Sequence, residues 1–345
     1  MDSALILLIF VVGLALAFDY VNGFHDTANA VATVVSTGVL PPRTAVLLAA
    51  ACNFIGAFLG VGVAKTIGGD IADPASITQT VVASALIGAI AWNLLTWYFG
   101  IPSSSSHALI GGLVGAIWCH RILTGHAAGE SLWALLTSKG VLLTLKALVL
   151  SPLAGMLCGF TLMLLLTWIA VPLKPPTVNR GFRVLQLGSS GFMAIAHGTN
   201  DAQKAMGIVT MALATYAATR GNAMTDLTPP TWVIISCATA MALGTAAGGW
   251  RIMKTMGHKI IKLRPINGFA AETAAAASIL VATYLKAPVS TTHVISSSIM
   301  GVGASKRVSA VRWGVARTMI IAWLLTIPIS AMVAALVYAM LHFCF

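Results

Sequence analysis

Apolar residues run along this chain in blocks too long to be one face of a soluble helix. Blocks extend over Ala4 to Asp19 with its flanks, Ala45 to Ala64, Thr80 to Phe99, Val141 to Ala170, Trp232 to Gly249 and Trp313 to Leu341. About 20 apolar residues in a helix cross the roughly 30 Å hydrocarbon layer. The pattern therefore predicts an all-α polytopic membrane protein with about 10–12 transmembrane helices. The stretch from Ala4 to Gly38 exceeds one straight crossing and leaves room for a hairpin.

Polar positions repeat within this apolar background. "NGFHDTANA" (Asn22 to Ala30) aligns with "HGTNDAQKA" (His197 to Ala205), so that Gly23, Asp26 and Ala30 fall on Gly198, Asp201 and Ala205. "AKTIGG" (Ala64 to Gly69) aligns with "MKTMGH" (Met253 to His258). "GIPSSSSHALIGG" aligns with "KAPVSTTHVISSS", setting Pro102, Ser104, Ser105, Ser106 and His107 on Pro288, Ser290, Thr291, Thr292 and His293. The offsets of 175, 189 and 186 residues differ only by loop insertions. Three matches in one order mark a duplication. It divides the chain into a first repeat at 1–140, a linking transmembrane helix and cytoplasmic loop at 141–183, and a second repeat at 184–345.

Composition removes the soluble classes. The 345 residues are 58% hydrophobic and 8% charged, with mean hydropathy +0.91; soluble domains carry about a quarter charged residues. The net charge of +11 sits in loops and reads as an orientation signal rather than a nucleic-acid patch. Arg251, Lys254, Lys259, Lys262 and Arg264 crowd one loop, Lys174, Arg180 and Arg183 a second, and Lys306, Arg307 and Arg312 a third. These face the cytoplasm by the positive-inside tendency. Lys65 to Thr78, with one lysine and two aspartates, reads as external. Corresponding loops then lie on opposite sides, which is an inverted-topology repeat with both termini outside. Ala15-Leu16-Ala17 is like a signal-cleavage site, but no basic residues precede it, and the segment reads as the first membrane span. The cysteines Cys52, Cys119, Cys158, Cys237 and Cys344 form no paired motif and read as packed thiols.

Inverted repeats with broken or re-entrant helices at the midplane are the architecture of secondary transporters. Pro102 and Pro288 are expected at the first position of short helices, whose Ser/Thr first turns aim hydroxyls, free N–H groups and a positive dipole at one spot. Two such ends make an anion cradle. Asp19, Asp26, Asp201, Glu272, Lys146 and Lys204 lie in apolar surroundings, where ionisable groups usually mark a pathway. Asp19 and Lys146, outside the repeat motifs, read equally well as helix-pairing residues. A divalent anion beside two carboxylates, with Lys204 cancelling one charge, is strongly repelled at low dielectric. A cation must enter with the anion.

At these motifs the chain resembles the inorganic phosphate transporter (Pit) family, which includes the animal sodium–phosphate symporters, over essentially its whole length. The resemblance implies an inverted-repeat carrier, a homodimer in the lipid bilayer, that imports inorganic phosphate with a coupling cation. It is not an enzyme, and no nucleic acid is a partner. The substrate set is Asn29, Ser104, Ser105, Ser106, Thr199, Asn200, Lys204, Ser290, Thr291 and Thr292. The coupling-ion set is His25, Asp26, Asp201 and Glu272, with Asp26 and Asp201 as direct ligands if sodium or another cation binds. His25-Asp26, where sodium-coupled members often carry Asn-Asp, is similar to the bacterial low-affinity branch. That branch is proton-driven, takes phosphate as a metal–phosphate complex and sits in the cytoplasmic membrane. No cofactor is implied beyond H⁺ or Na⁺ and a divalent metal carried with phosphate. Rival readings are a sodium-coupled symporter, a carrier of another oxyanion such as sulfate, a passive anion channel, and an intramembrane hydrolase using Ser, His107 and Asp26.

Overall fold

A computed structural model describes residues 2–69, 77–125, 132–222, 224 and 226–344. Among them every regular element is helical. In chain order they are α1 (Ser3–Ser36), α2 (Pro42–Gly56), α3 (Gly62–Gly69), α4 (Gln79–Phe99), α5 (Ser105–Leu123), α6 (Leu132–Leu136), α7 (Lys139–Ala170), α8 (Pro175–Thr219), α9 (Thr231–Ala247), α10 (Trp250–Lys254), α11 (Pro265–Tyr284), α12 (Thr291–Lys306) and α13 (Trp313–Cys344). A π-helical turn, Thr255–Lys259, continues α10. α1, α4, α7, α11 and α13 are each long and apolar enough to cross a membrane. α9 with the 250–259 helix forms a sixth such unit, bent by 59°.

Three local expectations change. No hairpin interrupts Ala4 to Gly38, because α1 is one helix of 34 residues. It exceeds the hydrocarbon thickness because its second part, Asn22 to Val34, is enclosed in protein, while Ile6, Ile9 and Phe10 nearer its start are exposed. The Ala45 to Ala64 block breaks after Gly56 and resumes as α3 at Gly62. The polar stretch between the halves is short, since α8 already begins at Pro175 and carries Arg180 and Arg183 on its first turns.

α1 and α8 hold the duplicated Asp motifs and run antiparallel. Arg220 past the end of α8 pairs with Asp2 before α1, while Arg183 donates to the Gly38 carbonyl just beyond α1, at 2.9 Å. The motif glycines set how closely these helices cross their neighbours. A Cβ at Gly23 would overlap the Met241 carbonyl oxygen of α9, and one at Gly198 that of Asn53 on α2. Each motif helix thus packs on the shorter helix of the other half. The same exchange recurs outside: α13 packs on α5, and α7 on α12. α7 and α13 are alike, each of 32 residues with one internal proline, Pro152 and Pro328. Their outward faces, such as Leu150, Leu153 and Leu157 on α7 or Leu324, Met332 and Leu336 on α13, are exposed as lipid-facing surfaces require. Lys146 is also exposed on α7.

α5 and α12 begin inside the molecule. Each follows an extended lead-in and a serine cap: Ser104 accepts the His107 N–H and Ser290 the His293 N–H, both at 3.2 Å. A capping hydroxyl satisfies one of the donors left free in the first turn. The helices therefore start at Ser105 and Thr291, and Pro102 and Pro288 stand in the lead-ins rather than at the first helical position.

Candidate functional site

The starts of α5 and α12 meet head to head. Ser106 Oγ donates to the Val289 carbonyl at 3.2 Å, and the His107 and His293 rings lie 4.9 Å apart. Trp323 of α13 stacks on His293 at 4.0 Å and donates to the Pro102 carbonyl at 3.1 Å, tying the first turn of α12 and the lead-in to α5 to one side chain. The N–H groups of the first helical turns have no intrahelical acceptor, so the meeting point is rich in donors and in positive helix dipole.

The duplicated motifs of α1 and α8 close over it. Asn29 Nδ2 donates to Thr292 Oγ1 at 2.9 Å and to Thr291 Oγ1 at 3.3 Å. Lys204, at the position equivalent to Asn29, donates to Ser106 Oγ, the equivalent of Thr292, and to the Val289 carbonyl at 3.1 Å. Lys204 also pairs with Asp201 Oδ1. Thr292 Oγ1 reaches Asp26 Oδ1 at 3.3 Å and Thr291 Oγ1 reaches Asp201 Oδ2 at 3.1 Å. All these side chains are buried. The equivalent residues Asn29 and Lys204 thus each reach an equivalent hydroxyl, Thr292 and Ser106, one with an amide and the other with an ammonium.

Histidines brace both carboxylates. His25 Nδ1 lies 2.6 Å from Asp26 Oδ1, and its Nε2 lies 3.1 Å from Thr96 Oγ1. His197 Nε2 lies 3.2 Å from Asp201 Oδ2, while its Nδ1 meets Asn53 Oδ1 at 3.1 Å. Asn53 in turn donates to Thr245, joining α2, α8 and α9. Ligand atoms of Asp26, His197 and Asp201 all lie within 4.8 Å of one another. Two carboxylates and the unpartnered Asn29 Oδ1 suit a hard cation, but the Lys204 ammonium already occupies Asp201.

Other expected residues lie elsewhere or are only loosely engaged. Ser105 Oγ is buried and has no partner. Thr199 Oγ1 donates within its own helix, to the Ile195 carbonyl. Asn200 donates to Thr283 Oγ1 at 2.8 Å and to the Ala287 carbonyl at 3.4 Å, bracing the lead-in to α12. Glu272 on α11 accepts from Thr33, Gln186 and Ser189. Thr33 is two helical turns past Asp26, so this cluster is a separate station about 10 Å along α1. No Ser–His107–Asp26 relay exists, because neither His107 nitrogen has a partner and Asp26 is held by His25. His197 and Asn53 were not in the expected set. A periodic signal does point to the wider network: Asp19, Asn22, Asp26, Asn29 and Thr33 fall at alternating steps of three and four, one polar stripe down α1.

Known proteins match the chain over almost its whole length. The profile of the phosphate transporter family matches residues 22–334. A probable low-affinity inorganic phosphate transporter of Bacillus subtilis is 51% identical, with 100% of both chains covered. One from Rhizobium meliloti is 47% identical over 98% of each. A solved structure titled the sodium-dependent phosphate transporter is 25% identical, with a TM-score of 0.82, covering 98% of this chain and 100% of its own.

Proposed function

The chain belongs to the phosphate transporter family, and on that premise we propose that it is a secondary active carrier that imports inorganic phosphate through the site between α5 and α12, driven by protons. As a member of that family it is a transporter, not an enzyme. The observation that carries the reading is the convergence of two helix starts, the Ser106, Thr291 and Thr292 hydroxyls, Lys204 and two buried aspartates on one point.

Charge bookkeeping supplies the coupling. Asp26, Asp201 and Lys204 leave one net negative charge when both histidines are neutral, and phosphate adds one or two more. Like charges this close in a poorly hydrated site repel strongly. Protonation at the His25–Asp26 pair, or at Glu272 further along α1, lowers that charge as phosphate binds. A divalent metal travelling with the phosphate as cargo does part of the same work. Phosphate oxygens displace Ser106 and the Val289 carbonyl from the Lys204 ammonium and take hydrogen bonds from Ser104, Ser105, Ser290, Thr291 and Thr292 or from their N–H groups. Asn200 braces the lead-in to α12, and the Thr199 hydroxyl turns back onto its own helix.

The antiparallel run of α1 and α8 supports an inverted repeat. The repeat unit we propose reaches Ala170, so that α7 and α13 are equivalent helices. It sits in the cytoplasmic membrane with both termini external; assembly as a homodimer follows from the family resemblance and is tested by mass measurement in detergent.

Sodium is the second reading. It is favoured by the cluster of Asp26, His197 and Asp201 and by the free Asn29 oxygen, and the structural neighbour is titled sodium-dependent. Uptake into proteoliposomes under imposed pH, sodium and metal gradients decides. Accumulation driven by an inward proton gradient without sodium, and stopped by a protonophore, is the expected outcome. Uptake that needs sodium and ignores pH overturns proton coupling. Sulfate that competes equally with labelled phosphate overturns the substrate.

A further inference from the structure

Asp19 lies seven residues before Asp26 on α1, two turns and about 10 Å toward the start of the helix. It is on the opposite side of the central site from Thr33 and Glu272. Its side chain is fully buried and neither carboxylate oxygen has a hydrogen-bond partner. Both polar atoms of Asn22, one turn further on, are equally buried and unpartnered. α1 packs most extensively on α9, α8 and α4. α8 brings Asp201 and Lys204 within electrostatic reach, α9 brings Cys237, and α4 has no ionisable side chain before Tyr98.

An ionised carboxylate buried without a partner is among the costliest groups a protein can hold. Lys204 does not relieve it, being engaged by Asp201, Ser106 and the Val289 carbonyl. Only a bound cation removes the cost. A hard metal ion takes about six oxygen ligands. Asp19 and Asn22 offer side-chain oxygens alone, because α1 is continuous here and its carbonyls are used within the helix. A proton needs only one oxygen, and the acid it forms can donate to the Asn22 amide oxygen.

We propose that Asp19 is a proton-binding station of the carrier, with Asn22 as its partner, serving the central site from the side where α1 begins. Uptake forms one O–H bond at the Asp19 carboxyl and release breaks it. Water is donor and acceptor, so no other reactant is needed. The station sits in the field of Lys204 and Asp201 and therefore responds to the charge that phosphate brings. Its part in transport rests on the proton-coupled reading above; its protonation does not.

The test uses the full chain in proteoliposomes. Infrared difference spectra on a pH step or on addition of inorganic phosphate should show a protonated-carboxyl band that Asp19→Asn lacks. That variant imitates the protonated form. It should still exchange labelled for unlabelled phosphate at equal pH, while the protons moved per phosphate fall by one. Asp19→Glu should restore the count and shift the band; it decides the matter if the asparagine variant fails to assemble. Identical spectra for wild type and variants, or an unchanged proton count in a proton-driven Asp19→Asn, overturn the proposal. If wild-type uptake ignores the pH gradient, proton coupling fails by that result, and the band alone decides Asp19.

Discussion

Replacing Asp26 or Asp201 by asparagine should abolish concentrative phosphate uptake, but the two variants should differ in stability. Asp26 is held by His25 and Thr292 and loses little besides its charge. Asp201 neutralises Lys204, and both are buried. Removing one partner of a buried pair costs about 3–5 kcal/mol, since the other charge is left uncompensated. Asp201→Asn should therefore melt well below Asp26→Asn, and adding Lys204→Met should recover melting temperature without recovering transport. Equal melting of the two single variants counts against the pair. At the cradle, paired Ser106→Ala and Thr292→Ala should weaken phosphate binding by about 1–3 kcal/mol for each fully buried hydroxyl lost, read as a rise in apparent phosphate Kd. Unchanged affinity would remove these hydroxyls from the site. Ser104 to Ser106 and Ser290 to Thr292 were legible in the sequence because hydroxyl runs in apolar segments stand out and occur twice. Asn53 and His197 were not: a single amide on an apolar face looks the same whether it braces a functional histidine or merely joins two helices. Thr199 and Asn200 entered the expected set through the family resemblance; adjacent residues on a helix point about 100° apart, and here their side chains meet the Ile195 carbonyl and the lead-in to α12.

At the scale of elements, glycine spacing carries the packing that serine capping cannot. Gly111 and Gly115 on α5 lie against Ile327, Ser330 and Ala331 of α13, and a Cβ at Gly115 would overlap the Ala331 carbonyl. Small residues four apart let membrane helices approach this closely. Gly115→Leu should separate α13 from α5, lowering the melting temperature of the purified protein and the yield of folded carrier. Gly188→Ala on α8, where nothing lies within 4 Å, should be tolerated or gain up to about 1 kcal/mol of helix propensity. A Gly115→Leu protein that melts like wild type would refute the contact. Apolar blocks marked α1, α2, α4, α7, α9 and α13 but not α8 or α11, whose polar residues interrupt the pattern, and helix starts and breaks were not readable from them. Proline was expected to open α5 and α12, but a serine hydroxyl that caps a free N–H outcompetes it. The hairpin expected in α1 assumed that a long helix meets lipid along its length, whereas the second part of α1 is enclosed and the helix packs on α4, α8 and α9.

At the scale of the whole molecule, the orientation argued from loop charge makes a simple demand. Cys344, exposed at the end of α13, should react with a membrane-impermeant thiol reagent added outside intact cells, and not when that reagent is confined to the inside of vesicles of native orientation. The reverse pattern would invert the topology. The repeated motifs are legible in the sequence because three of them recur in order. The exchange of partners between halves was not, since no local pattern says which helix an apolar face will meet. That exchange has a consequence for biosynthesis. The ribosome delivers α5 long before α13, the helix that covers Gly111 and Gly115 and holds the α5 lead-in and the first turn of α12 through Trp323. Throughout synthesis the first half holds a polar, serine-capped helix start in the bilayer with its final partner still unmade. Neither half can reach its mature packing by itself, and a nascent chain cut short before α13 presents an open seam to the proteases that police the membrane.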